Sequence, residues 1–157
     1  MSVKMKIEGA GDIERALAEL ARGTAKGVMR RAMRRALQPV AEAADNSAFE
    51  IAITSRLTPR QYGQARGDRG PSRVTLYVGP VESDGSPAPH AHLVEFGTGP
   101  RTHASGKYVG AVMADPFMRP AWDANLAEML AILRREVWIE IEKAAVRAAR
   151  KAAKGTS

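Results

Sequence analysis

From Trp122 onward, apolar residues recur at three- and four-residue spacing: Trp122, Leu126, Met129, Leu133, Val137, Ile141, Ala144 and Ala148. That period puts them on one face of an α-helix about 40 Å long. A helix of that length with one apolar stripe must lie along a body that covers the stripe. Pro120 sits where a helix tolerates it best, in the first turn, where its missing N–H has no helical partner. The run Val137–Glu142 also alternates as a strand would, but its helix-forming flanks favour helix. The end of the chain, Lys143 to Lys154 within a tail over 143–157, is basic and alanine-rich and is expected to fray.

A second helical stretch runs from Ile13 to about Ser47. Ile13, Leu17, Leu20, Thr24 and Val28 set the spacing, and Met29, Met33, Leu37, Val40 and Ala44 continue it. Gly23 and Gly27 weaken its middle, each by about 1 kcal/mol relative to alanine. Pro39 removes a helical hydrogen bond, so the helix is expected to kink or divide near Ala36. Asp12 is a candidate N-cap. Before it, Val3, Met5 and Ile7 alternate with Lys4, Lys6 and Glu8, the period of a short half-buried strand. Further strands are expected at Arg73–Val81, with Val74, Leu76 and Val78 on one face, and at His90–Phe96. The short link Glu82–Pro89 makes that pair antiparallel. Glycine-bearing loop is expected from Gly97 to Ala114. The segment Thr54–Ser72 holds Arg56, Arg60, Arg66 and Arg69, three glycines and two prolines, and reads as a long basic loop. The whole is one domain over 1–157 of α+β class: a small antiparallel β-sheet packed against a long N-terminal helix and a long C-terminal helix, with long loops.

Composition narrows the chemistry. The chain has 157 residues, enough to bury a core. It has no cysteine, so disulfide scaffolds, thiolate metal sites and cysteine nucleophiles are excluded. No run approaches the length of a membrane-spanning helix, and no membrane partner is expected. MSVKMKIEGAGD lacks the apolar core of a secretory signal, so a cytoplasm-like compartment is expected. A net charge of +7 points weakly to a polyanionic partner. Aromatic residues are only 5% of the chain, too few for a stacking platform for single-stranded nucleic acid.

No catalytic constellation is found. His90 and His92 would share one face of a strand, but a metal site needs three or four ligands. His103 lies in a loop and Glu95 faces the other way, so the pair reads as a half-exposed strand edge. No metal or other cofactor is expected. Glu95, between Val94 and Phe96, is expensive to bury without partners. With no second carboxylate or nucleophile beside it, the structural reading is the stronger one. It then accepts hydrogen bonds from backbone amides or pairs with an arginine such as Arg119. The glycines G-T-G-P-R match no phosphate-binding loop; Gly97 and Gly99 instead permit a positive φ or a close backbone approach.

Basic residues cluster in three places. Arg22, Lys26, Arg30, Arg31, Arg34 and Arg35 fall in the first helical stretch with no acid among them, Arg56, Arg60, Arg66, Arg69 and Arg73 in the loop, and Lys143, Arg147, Arg150, Lys151 and Lys154 in the tail. Each cluster alone reads as a solvated face. Arg30, Arg31, Arg34, Arg35, Arg56, Arg60, Arg66 and Arg69 are also candidates for contact with DNA phosphates or with acidic protein neighbours.

Two segments carry a resemblance: H-A-H-L-V-E-F-G-T-G, with its core at Leu93, Val94, Glu95, Phe96, Gly97 and Thr98, and D-P-F-M-R-P-A-W, with Pro116, Phe117, Pro120, Ala121 and Trp122. In this order, after a basic first helix that includes R-R-A-L-Q-P-V-A, they resemble the neck or tail-completion proteins of long-tailed bacteriophages. That family is named after gene product ten of the lambdoid phage Hong Kong 97. The resemblance implies a non-enzymatic structural protein of the virion, or of a gene-transfer particle, at the head–tail junction. It implies a homo-oligomeric ring of six around the DNA channel. The implied partners are head-closure or adaptor proteins, and tail terminator or tail tube proteins. Contact with packaged DNA would be non-specific. In that setting Phe96 and Phe117 are expected to anchor the core where strand meets helix, Gly97 and Thr98 to turn the chain, Pro116 and Pro120 to stiffen the start of the last helix, and Trp122 to pack beneath it. The motif is then a fold signature, and the variable loops and termini meet the neighbours. Two alternatives stand beside this: a tail terminator capping the tail tube, and a free basic nucleic-acid-binding protein.

Overall fold

The computed structural model describes residues 10–20, 22–44, 48–55 and 74–154. The strand expected at Val3–Ile7, the arginines Arg56, Arg60, Arg66, Arg69 and Arg73, and all of the basic loop beyond Ser55 lie outside these residues. The elements in chain order are helices α1 (Ala10–Ala18), α2 (Arg22–Ala36) and α3 (Gln38–Ala43), strands β1 (Glu50–Thr54) and β2 (Tyr77–Val81), helix α4 (Ala91–Phe96), strands β3 (Thr98–Thr102) and β4 (Tyr108–Val112), and helix α5 (Met118–Lys154). The class is α+β.

Helix α5 is the spine, helical through Val137–Glu142 as its flanks predict. Three apolar clusters follow one another along it. Near its start Phe117 and Ala121 pack with Ala44 and Ala91, and Phe49, Ile51 and Val94 close around them. In the middle Met129 meets Ala36, Leu37 and Val40, with Ile53, Leu76, Val78 and Trp122 against them. Farther on, Val137, Ile141 and Ala144 meet Val28 and Ala32, covered by Ile13, Leu17 and Leu20 of the α1 segment. Along α2, Val28 and Ala32 of this last contact and Ala36 of the middle one recur at four-residue spacing, all buried. Such small residues let two helix backbones approach closely, which is how an alanine-rich stripe still makes a core. Ala148 and Thr24, expected on the apolar faces, are exposed.

The N-terminal helical stretch is divided rather than continuous. The division at Leu37 falls where Pro39 predicts it: α2 ends at Ala36, and Pro39 occupies the first turn of α3. A second break at Glu19–Leu20, ahead of Gly23, was not signalled by the glycines. Asp12 is not a cap; it lies inside α1 and pairs with Arg15 one turn on.

The strands differ more from expectation. β2 begins at Tyr77, so the expected strand from Arg73 is shorter than its pattern. Its antiparallel partner is β1, with Ala52 opposite Gly79 and Ile53 opposite Val78. The expected partner, His90–Phe96, is the short helix α4. A six-residue apolar run fits either state by pattern; here the helical turn brings Ala91 and Glu95 to the same buried face, four residues apart. Thr54, expected to open the basic loop, is the last residue of β1. The expected loop after Gly97 is instead a second antiparallel pair, β3–β4, with Thr98 opposite Val112 and Arg101 opposite Gly110. Among the described residues the strands therefore form two separate two-stranded ladders. Among the described residues no helix is long and apolar enough to cross a membrane.

Because Val137 is 2% exposed between α2 and α5, Val137→Ala is expected to lower unfolding free energy by about 2 kcal/mol. Val146→Ala, on the same helix but exposed, is expected to change it by less than ~0.5 kcal/mol. Urea denaturation of the two variants measures both.

Candidate functional site

The two motif segments come together through one side chain. Glu95, on α4, is 7% exposed. Its Oε2 accepts the backbone N–H of Phe117 at 2.8 Å and of Met118 at 2.9 Å, and its Oε1 accepts that of Arg119 at 3.0 Å. These are N–H groups at the start of α5, which have no partner inside their own helix. The carboxylate satisfies three of them and faces the positive end of the helix dipole. Burial alone would raise the Glu95 carboxyl. The amide bonds from Met118, Phe117 and Arg119, with the Arg119 charge, outweigh it and hold the group below the ordinary carboxylate range. Of the two partners expected for Glu95, backbone amides are the ones it bonds.

The rest of the motif is arranged around this clamp. Phe117 is buried and stacks on Phe49, with ring centroids 6.0 Å apart. Ala121 is buried beside it, and Trp122 is half-buried against the middle cluster. Val94 packs into the Phe117 cluster, and its carbonyl accepts the Asp115 N–H at 2.9 Å. Leu93 is half-buried, whereas Pro116 and Pro120 are exposed at the start of α5. Gly97 has φ +68°, and a Cβ there would lie 2.7 Å from the Ala114 nitrogen and 2.9 Å from the Val112 oxygen. Only glycine fits that turn. Thr98 then opens β3, and its Oγ1 accepts the Val112 N–H at 3.0 Å. Phe96 departs from expectation. It is 69% exposed and anchors nothing, because α4 turns Glu95 inward and its neighbour outward. The change from strand to helix also parts His90 and His92. Two residues apart on a helix they lie about 200° apart around the axis, and both are exposed.

Beside the clamp lies an apolar groove of about 540 Å³. Its walls are Leu76, Tyr77, Val78 and Pro80 on and beside β2, Ala91, His92 and Phe96 of α4, and Phe117, Arg119 and Trp122 near the start of α5.

The arginines of α2 divide into two sets. Arg31 Nε lies 2.5 Å from Glu140 Oε2, and Arg35 pairs with Glu136. Arg35, Lys143 and Arg147 also stand 3.6 to 3.9 Å from Glu140. The Arg35 bond and charge hold the Glu136 carboxyl below its usual range. For Glu140, burial raises the carboxyl, but the Arg31 bond and the surrounding cations more than offset it. Arg31 and Arg35 thus bind α2 to α5. Arg30 and Arg34 are exposed and make no ion pair among the described residues. Glu136 and Glu140 were not singled out in the sequence. Their signal is an acidic pair at four-residue spacing beside the apolar stripe of α5, matched to Arg31 and Arg35 at the same spacing on α2. Among the described residues no three His, Cys, Asp or Glu converge as metal ligands would. No protein-family model, curated protein or solved structure matches the chain.

The folded-state depression of Glu95 sets the sign of its pH dependence. Its contribution to stability is present above the unfolded carboxyl value of about 4.3 and is lost as pH falls through the lower folded value. Glu95→Gln keeps the size but loses the charge and presents an NH₂ to donors, and is expected to cost about 2 kcal/mol at neutral pH. The gap in urea midpoint between wild type and Glu95→Gln is expected to narrow from pH 7 to pH 3; a constant gap would count against an ionised clamp.

Proposed function

We propose that the chain is a non-enzymatic structural protein of a phage-like particle, seated at the head–tail junction as a neck or tail-completion subunit. It assembles as a ring, six-membered by the resemblance, between head-closure or adaptor proteins and tail terminator or tail tube proteins. It is built into the virion in the host cytoplasm. The single observation that carries this reading is the Glu95 clamp. The two separated segments that resemble the phage family, Leu93–Thr98 and Pro116–Ala121, act physically as one unit, with a buried glutamate on three amides. A motif of that kind holds a fold and leaves function to the surfaces around it.

The distribution of charge supports a protein that lines a DNA passage without reading sequence. Half of the central α2 arginines, Arg31 and Arg35, are occupied within the subunit. Arg30 and Arg34 are left outward, with Arg150, Lys151 and Lys154 exposed at the far end of α5. A few exposed cations give weak, salt-dependent contact with phosphates.

Electron microscopy of particles made when this gene carries an early stop codon tests the reading. The expected result is DNA-filled heads and separate tails with few joined particles. Tails of uncontrolled length would transfer the protein to the terminator role, and normal infectious particles would overturn both. Duplex DNA binding by the isolated subunit is expected to be weaker than micromolar at physiological salt; tight binding that falls steeply with salt would favour a free nucleic-acid-binding protein.

A further inference from the structure

We propose that the β3–β4 hairpin is an arm that docks on a second copy of this chain, laying strand β4 along the open edge of β2 in the apolar groove of that copy. The contact supplies the subunit interface of the ring proposed above and rests on that reading for its copy number, but not for its existence.

The arm is poorly covered by its own subunit. Every residue from Gly99 to Val109 is exposed, and β3 and β4 pack chiefly on each other. A two-stranded hairpin alone is marginal in water, yet this one displays large apolar side chains. Tyr108 is 64% exposed, Val109 53% and Met113 90%. Its foot is fixed: the Gly97 turn admits no side chain, and Asp115 N–H is bonded to the Val94 carbonyl. A fixed foot and an apolar, solvent-facing strand are the features of an interaction surface.

The groove offers what such a strand needs. On the sheet side the groove is walled by Tyr77, Val78 and Pro80 of β2 and by Leu76 just before it. Among the described residues β2 is paired with β1 along one edge only, apart from a single bridge between Val81 and Pro87. Along that edge Glu82 N–H is bonded to Ser86 and Pro80 has no N–H, so an added strand finds main-chain partners near Val78 and is held mainly by side chains against the apolar walls. Charge agrees. From Thr98 to Ala114 the arm carries Arg101 and Lys107 and no acid. In sequence, Glu82 and Asp84 follow β2 and Asp123 follows Trp122; the acid that lines the groove itself is Glu95. Arg119 also lines the groove, where the Glu95 carboxylate offsets it.

Arm and groove are different patches, so the contact is heterologous and propagates from copy to copy, closing a ring if the rotation allows. One short arm covers less than a specific interface of about 1,200 Å² usually does. A single contact is therefore weak, and closure or a template reinforces it.

The sequence contains no cysteine, which makes cross-linking direct. Met113→Cys on the arm and His92→Cys at the groove replace exposed side chains. Mixed at ~100 µM with a short bis-maleimide, where a weak contact is partly filled, the two variants are expected to give a cross-linked dimer about tenfold above either alone. Val109→Asp with Met113→Asp is expected to lower self-association in sedimentation by about tenfold with an unchanged circular dichroism spectrum. Equal cross-linking by Met113→Cys alone would mean arm against arm and would overturn the proposal. So would the absence of a cross-link in the mixture, whether the wild type sediments as a monomer or as an oligomer. None of these outcomes depends on particle morphology, so a failed stop-codon test and a failed docking test are separate results.

Discussion

The hydrogen bonds from Phe117, Met118 and Arg119 to Glu95 are the constraint on which the arrangement depends. A long helix begins with amides that its own backbone cannot satisfy, and here Phe117 at the start of α5 is buried against α4 while Met118 is half-buried. Without an acceptor, that end could not be buried. With Glu95 in place it is fixed, and so are the things that radiate from it: the Phe117–Phe49 stack, the groove beside α4, and the foot of the β3–β4 arm. A buried carboxylate is costly when alone and favourable when three donors and a helix dipole converge on it.

The other end of the molecule is held by a different balance. The α2–α5 contact is built from small residues, Val28 and Ala32 against Val137 and Ala144, so its apolar yield per residue is modest. The Arg31–Glu140 and Arg35–Glu136 pairs run alongside. Their carboxylates are buried and their guanidinium groups half-exposed. Removing one partner of such a pair leaves a buried charge unmatched, which makes the pairs markers of register between the helices more than sources of stability. They also explain why a +7 chain presents fewer free cations than its composition suggests.

The parts of the fold legible in sequence are those where one period dominates. The stripe from Trp122 to Ala144 runs far longer than its one rival, the strand-like alternation of Val137–Glu142, and α5 follows it. Pro39 acts through its missing N–H wherever the chain goes, and the break at Leu37 follows from that alone. Glu95 was legible as a structural group because a lone acid amid Leu93, Val94 and Phe96 admits few solutions. What misled was short and decided by tertiary contacts. A-H-L-V-E-F fits a strand or a helix by pattern, and the need to aim Glu95 at the start of α5 settles it. Ala48–Ile53, A-F-E-I-A-I, is a short and largely apolar run with no period of its own, and β1 becomes a strand because Tyr77–Val81 folds back on it. Phe96 looked like core because it is large and apolar, but its direction was set by the residue before it.

Phe96 and the arm behind it carry the last step. A subunit whose clamp, clusters and ion pairs are all satisfied internally has little reason to keep Tyr108, Val109 and Met113 in water. Exposed apolar residues on a fixed hairpin are an aggregation hazard unless a partner covers them. The groove beside α4 has the complementary character, with walls that include Leu76, Val78, Phe117 and Trp122. An arm and a groove that are different patches of one chain favour repeated head-to-tail contact over a two-fold dimer, in which each patch meets its own copy. In the assembly proposed above, each subunit would stay rigid at the Glu95 clamp and have its joints in the arms.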